Sequence, residues 1–148
     1  IAFCDDDDLW LPEKLEKQVE YMKSHDVDLV SSDIVYFGEG MEDKISQRID
    51  KKNYEIYLKN YIVPSTVLVK NKPEVNFNPD PQYNCAEDWA MFVQLVLEGY
   101  KYYQMPEALV RYRMFDSNST KKSKVQPNER FRYILIDLKK KYLREKAV

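Results

Sequence analysis

The sequence predicts an α/β fold. Strand-like runs alternate with runs of helical period from end to end. At 148 residues and 44% hydrophobic, the chain can bury one ordinary core. Its apolar stretches stay far short of the roughly 20 residues of a membrane span.

Ile1–Cys4 is a short apolar run stopped by four aspartates, the pattern of a buried strand feeding a polar loop. The chain opens inside this run with Ile1, which suggests that further sequence precedes it. Pro12 suits the first residue of a helix. Leu15, Val19 and Met22 then repeat at helical spacing through Glu13–Lys23, with Glu13 set to pair with Lys17 one turn on. His25-Asp26 breaks the pattern. Val27–Phe37 is rich in β-branched and aromatic residues and reads as the second strand, ending at Gly38 and Gly40. Residues 39–52 are polar and read as a loop. Tyr54, Tyr57, Leu58 and Tyr61 suggest a short helix, and Ile62–Val69 a third strand with Pro64 at its start.

Pro73, Pro79 and Pro81 make Asn71–Asn84 a loop. Asn84 followed by Glu87 resembles a capping box. Trp89, Phe92, Val93 and Val96 form one helical face, closed by Gly99. Tyr100–Tyr112 is strand-like but interrupted by Pro106. After Pro127 a last amphipathic helix carries Phe131, Ile134, Leu138 and Tyr142 on one face, with Lys139, Lys140, Lys141 and Arg144 elsewhere around it.

Charge and composition exclude several function classes. The net charge of −2 argues against a nucleic-acid partner. Two cysteines, Cys4 and Cys85, are too few for a disulfide scaffold or a thiolate zinc site, and read as free thiols in a reducing cytoplasm. Three glycines do not supply the clusters that dinucleotide and phosphate loops need. The charge is uneven: residues 1–120 carry 13 basic and 22 acidic side chains, and residues 121–148 carry 10 basic and 3 acidic. The acidic body suits a site for a cation. The basic tail suits a polyanion or the cytoplasmic face of a membrane, although a solvated helix face is the commoner explanation.

Asp5-Asp6-Asp7-Asp8 follows a strand directly, and ligands of open α/β sheets bind beyond the carboxyl ends of strands. Four adjacent carboxylates repel unless a cation or water screens them. Two of them at i and i+2 can hold a hard divalent ion that also takes phosphate oxygens. On these residues alone, a solvated acidic turn ahead of a helix stands equal to that reading. A calcium EF-hand is excluded, because Trp10 stands where its loop needs Gly. A second acidic pair, Glu87-Asp88, opens a helix. With Glu87 used in capping, Asp88 is left as an ionised carboxylate able to serve as a general base. An ordinary acidic first turn explains the pair equally well when it is taken alone.

Four motifs in order resemble the family 2 inverting glycosyltransferases of the GT-A fold. They are Ile1-Ala2-Phe3-Cys4-Asp5-Asp6-Asp7-Asp8-Leu9-Trp10-Leu11-Pro12-Glu13-Lys14-Leu15-Glu16-Lys17-Gln18; Pro64-Ser65-Thr66-Val67-Leu68-Val69; Glu87-Asp88-Trp89 with Gly99 after one helix; and Glu107-Ala108-Leu109-Val110-Arg111-Tyr112-Arg113. The resemblance implies a partial GT-A sheet with flanking helices, lacking the N-terminal nucleotide-binding half. Residues 1–120 would be the acceptor-side part of the catalytic domain, and 121–148 a basic linker and amphipathic helix. Asp5 and Asp7 match the Asp-x-Asp that binds Mg²⁺ or Mn²⁺ on a nucleotide-diphospho-sugar donor. Asp88 matches the general base that deprotonates a saccharide or lipid-linked acceptor. Trp10, Glu87 and Trp89 fall on the substrate side, with packing and capping as their commoner duties. Phe115 stands where family members often have His. A haloacid-dehalogenase-like phosphatase fits less well, because Leu9 stands where it wants Thr or Val. The alternative from another class is a non-catalytic remnant that associates with itself, as a homodimer covering the Ile1–Cys4 strand edge.

Overall fold

The computed structural model describes residues 1–38, 41–46, 56–57, 60–84, 86–114 and 127–145. The elements in order are β1 (Leu9–Trp10), α1 (Lys14–His25), β2 (Leu29–Gly38), β3 (Met41–Ser46), β4 (Leu68–Val69), α2 (Glu87–Leu97), β5 (Tyr102–Arg113) and α3 (Pro127–Glu145). Five strands make one mixed sheet in the order β1-β5-β2-β3, with β4 antiparallel to the start of β2. β2 and β5 run parallel, and the other pairs are antiparallel. The class is α/β, as expected.

β2 is central and buried on both faces over Leu29–Ile34, which explains its continuous apolar and small-residue run. Pro106 does not end β5. The register with β2 jumps from Ser32↔Met105 to Asp33↔Ala108, so Pro106 and Glu107 sit in a bulge where no ladder bond is asked of the proline. The polar stretch after Gly38 is not simply a loop. Met41–Ser46 folds back as β3, paired with Ile34–Gly38. An edge strand needs no second apolar face, so its polar composition hides it. The remainder of that stretch lies outside the described residues, as do Tyr54, Leu58, Cys85 and Phe115.

Gly38 is required by close approach. A Cβ there would lie 2.5 Å from the Met114 carbonyl oxygen, while the Met114 N–H donates to Phe37 O at 2.8 Å. Gly38→Ala is expected to cost about 1–3 kcal/mol, the usual scale of overpacking. Urea unfolding of the chain measures it, and an unchanged midpoint would show that β5 yields without strain.

The predicted third strand is mostly something else. Pro64–Thr66 is a 3-10 turn in which proline's fixed φ suits the first position, the Thr66 hydroxyl donates to Val63 O at 2.6 Å, and only Leu68–Val69 is strand. Ile1–Cys4 is likewise a single bridge, Ala2↔Leu68, flanked by Ile1–Val69 hydrogen bonds, and Ile1 is exposed. It is not the buried strand that its composition suggests.

α1 buries a different face from the one its apolar residues mark. Lys14, Gln18 and Met22 point inward, whereas Leu15 and Val19 are exposed. The inward polar groups satisfy one another. Lys14 Nζ donates to Gln18 Oε1 at 2.8 Å, and Gln18 Nε2 donates to Thr66 O at 2.7 Å. Pro12 precedes the helix instead of opening it, and Lys17 pairs with Glu107 of β5 at 2.5 Å. Asp26 ends α1 in the left-handed conformation at φ 48°, its N–H bonded to Met22 O. Gly99 at φ 100° closes α2 as expected.

The main core lies between α2, α3 and the β4 side of the sheet, around Trp89, Phe92, Tyr83, Ile134 and Leu138. Ile134 and Leu138 carry α3 onto this core, and the Phe131 ring meets Trp89 at 4.7 Å. The apolar face of α3 is therefore spent inside the protein, and Lys139 and Lys140 are exposed. Among the described residues no helix is long and apolar enough to cross a membrane.

Candidate active site

Four carboxylates in a row cannot remain in a ladder, where like charges crowd. Asp5–Asp8 instead form a tight turn, closed by the Asp8 N–H donating to Asp5 O at 3.2 Å. Beyond the turn, β1 leaves on the edge of β5, with Leu9 opposite Arg111 and Trp10 opposite Val110. This places the aspartates at the carboxyl end of β5, beside the Pro64–Thr66 turn. Ser65 Oγ accepts the Asp5 N–H at 3.0 Å, and Ser65 O accepts the Trp10 indole N–H at 2.9 Å. Arg113 Nε donates to Asp7 O at 2.9 Å, and its backbone N–H donates to Asp8 Oδ1 at 3.0 Å.

The four aspartates divide. Asp5 and Asp6 are exposed, Asp7 is half-buried, and Asp8 is buried. Asp8 Oδ2 is enclosed with no hydrogen bond. Partial burial raises the Asp5 carboxyl above its ordinary range, then crowding by Asp8, Asp7 and Asp6, against a smaller opposing effect of the Ser65 hydroxyl. Burial also raises Asp8, opposed by the nearby Ser65 hydroxyl and the Arg113 amide.

Asp88 stands in the first turn of α2, within electrostatic reach of Asp5. Its carboxyl is pushed up to about 6, by burial first and then by the charges of Glu87 and Asp5, against the Trp89 N–H that donates to Asp88 Oδ1 at 2.6 Å. The charge of Asp5 is thus felt at Asp88 across 83 residues of sequence. Glu87 turns away, and its Oε2 accepts the Ala86 N–H at 2.9 Å. The cap is consequently Ala86 and not Asn84, which ends the 3-10 turn over Pro81–Tyr83. Trp89 is fully buried, its indole N–H donating to Ile56 O at 2.7 Å. Its expected place beside the sugar is corrected: an enclosed ring packs the core. Trp10 stays half-buried, with the ammonium of Lys14 4.4 Å from its ring centroid. Lys14 is enclosed, and burial lowers its pKa to about 8.

The donor set at the exposed Asp5 and the half-buried Asp7 is hard carboxylate oxygen. Among the described residues no three His, Cys, Asp or Glu side chains gather as a metal cage. Two carboxylates that repel each other fit an ion that keeps its waters and takes further oxygens from a phosphate, as Mg²⁺ and Mn²⁺ do. Ser65, Arg113 and Lys14 escaped the sequence reading, although all three stand within the four motifs. For Ser65 and Arg113 the signal is a contact across the fold, which no local spacing carries, whereas Lys14 meets Trp10 and Gln18 at helical spacing.

Comparison with known proteins decides the family. The glycosyl transferase family 2 model matches residues 1–79, more than half of the chain. The chain belongs to glycosyltransferase family 2. The matched region includes the Asp turn, α1 and Ser65, and the α/β sheet is consistent with a partial GT-A fold. The chain is 27% identical over 120 residues to a protein of Bacillus subtilis provisionally named as teichuronic acid biosynthesis glycosyltransferase TuaG, covering 80% of this chain and 48% of that protein. It is 28% identical to an uncharacterized glycosyltransferase of Methanocaldococcus jannaschii, covering 77% of this chain and 41% of that protein. It is 25% identical to the amylovoran biosynthesis glycosyltransferase AmsE of Erwinia amylovora, covering 76% and 44%. The glycosyltransferase chain therefore spans about half the length of the relatives it matches.

Proposed function

We propose that the whole protein transfers a sugar from a nucleotide-diphospho-sugar donor to an acceptor hydroxyl with inversion, and that this chain forms the acceptor side of that site. The observation that carries the reading is Asp88. A carboxyl held near 6, half-buried at a helix start and within the field of Asp5, is matched to proton abstraction near neutral pH. Asp88 takes the proton of the attacking hydroxyl. Asp5 and Asp7 hold Mg²⁺ or Mn²⁺ on the donor side. The ion, when bound, supplies positive charge against the diphosphate leaving group. Glu87 keeps the first turn of α2 in place, and Trp10 braces the turn at Ser65.

Polysaccharide assembly is the fitting context, because two relatives are named for teichuronic acid and amylovoran biosynthesis. A membrane contact for α3 would be electrostatic, through Lys139 and Lys140, because its apolar face is buried.

Asp5→Asn together with Asp7→Asn is expected to abolish Mn²⁺ binding in the presence of inorganic pyrophosphate while leaving thermal unfolding nearly unchanged. Calorimetry on the 148-residue chain reads both halves of that statement. Equal Mn²⁺ affinity in the double variant would remove the metal reading and favour the non-catalytic, self-associating alternative.

A further inference from the structure

Ser65 and Arg113 grip the backbone of the Asp turn at Asp5, which is exposed, and at Asp7, which is half-buried. Ser65 Oγ takes the N–H of Asp5, and Arg113 Nε gives to the carbonyl of Asp7. Between them Asp8 is drawn inward by the backbone N–H of Arg113. Mutual repulsion of four carboxylates would otherwise splay such a turn. Each grip is itself anchored. Ser65 is fully buried in the turn opened by Pro64; its carbonyl holds the Trp10 indole, and the next carbonyl, that of Thr66, holds Gln18. The Arg113 guanidinium lies 4.4 Å from the Phe37 ring centroid at the end of β5. A side chain as enclosed as Ser65 does not meet a ligand, so its action is through the aspartates.

We propose that Ser65 and Arg113 are positioning residues that aim the Asp5 and Asp7 carboxylates at the metal and diphosphate. This rests on the metal reading of the same site. Asp8 is then the buried post around which the turn is wound, and not a ligand. Adjacent aspartates are chemically identical, so the inward turn of Asp8 follows from the backbone N–H of Arg113 that its Oδ1 accepts.

Amide hydrogen exchange by NMR and Mn²⁺ affinity by electron paramagnetic resonance, with inorganic pyrophosphate present, test this on the 148-residue chain. Ser65→Ala is expected to speed exchange of the Asp5 amide at least about tenfold. Ser65→Ala and Arg113→Lys are each expected to weaken Mn²⁺ binding by about 10–100-fold, the scale for residues that orient ligands. Ser31→Ala is the structural control. It removes a buried hydroxyl that pairs with Tyr102 of β5 at 2.8 Å and not with the Asp turn, and should leave both readouts unchanged. Unchanged Mn²⁺ affinity in the variants, with an unsubstituted chain that binds through Asp5 and Asp7, overturns the positioning role alone. An unsubstituted chain that binds no Mn²⁺ overturns the metal reading and the positioning role with it. Should Ser65→Ala fail to fold, Arg113→Lys decides by the same affinity measurement.

Discussion

Replacing Asp88 by Asn is expected to lower turnover of the whole protein by about 10²–10⁴, the usual worth of a positioned general base. The amide keeps the shape and can still accept the Trp89 N–H, so the loss is one of basicity and not of geometry. Metal and pyrophosphate affinity should change little, because Asp5 and Asp7 are untouched. Near-normal turnover would remove Asp88 as the base.

The same substitution should make the chain more stable at neutral pH. The Asp88 carboxyl rises from 3.8 to about 6 on folding, chiefly through burial. Between those values the folded state holds a proton that the unfolded state has released. Stability from this group therefore falls as pH climbs through that window, and above it the full cost of the buried charge remains. At roughly 1.4 kcal/mol for each pH unit the window spans, the cost is on the order of 1–3 kcal/mol. Asn cannot ionise, so the variant should lose that pH dependence and unfold at a higher temperature at pH 7. Calorimetric unfolding of the chain and its variant from pH 4 to 7 measures this. Parallel pH profiles would show that the carboxylate is already well solvated. A group costly to fold and needed for turnover is expected of a site selected for chemistry over stability.

What could be read from the sequence was what depends on near neighbours. Asp5 and Asp7 at i and i+2, the acidic start of α2, the Gly99 stop and the Ile134–Leu138 face are local patterns, and the structure has each of these features. What could not be read depends on contacts distant in sequence. Leu15 and Val19 look like the buried face of α1, but the carbonyl of Thr66, 48 residues beyond Gln18, draws the polar face inward. Pro106 looks like a strand end, but a bulge against Ser32 and Asp33 absorbs it. Met41–Ser46 lacks apolar alternation because it is an edge strand whose partner, β2, supplies the ladder. In the site, the Asp run is held by Ser65 and Arg113, 60 and 106 residues away from the Asp5 and Asp7 backbone groups they bond.

Trp89→Ala is expected to destabilise the chain by about 3–5 kcal/mol, the cost of emptying a buried aromatic site. Trp89 is fully enclosed and is the largest side chain in the core. Its ring packs on Phe131 of α3, and its indole N–H satisfies the carbonyl of Ile56. The substitution therefore removes packing between α2 and α3 and leaves a buried acceptor unpaired. Against a total stability of about 5–15 kcal/mol for a domain, the variant should unfold well below the parent temperature. Trp89→Phe separates the two contributions. It retains most of the packing and loses the hydrogen bond, so about 1–3 kcal/mol is expected. The Ala variant keeps the backbone N–H that Asp88 accepts, so any loosening of the first turn of α2 comes from the lost packing alone. Chemical unfolding gives the free energies, and hydrogen exchange of the Trp89 and Ala90 amides shows whether the turn opens. A loss below about 1 kcal/mol for the Ala variant would contradict a core role and return Trp89 to the substrate side.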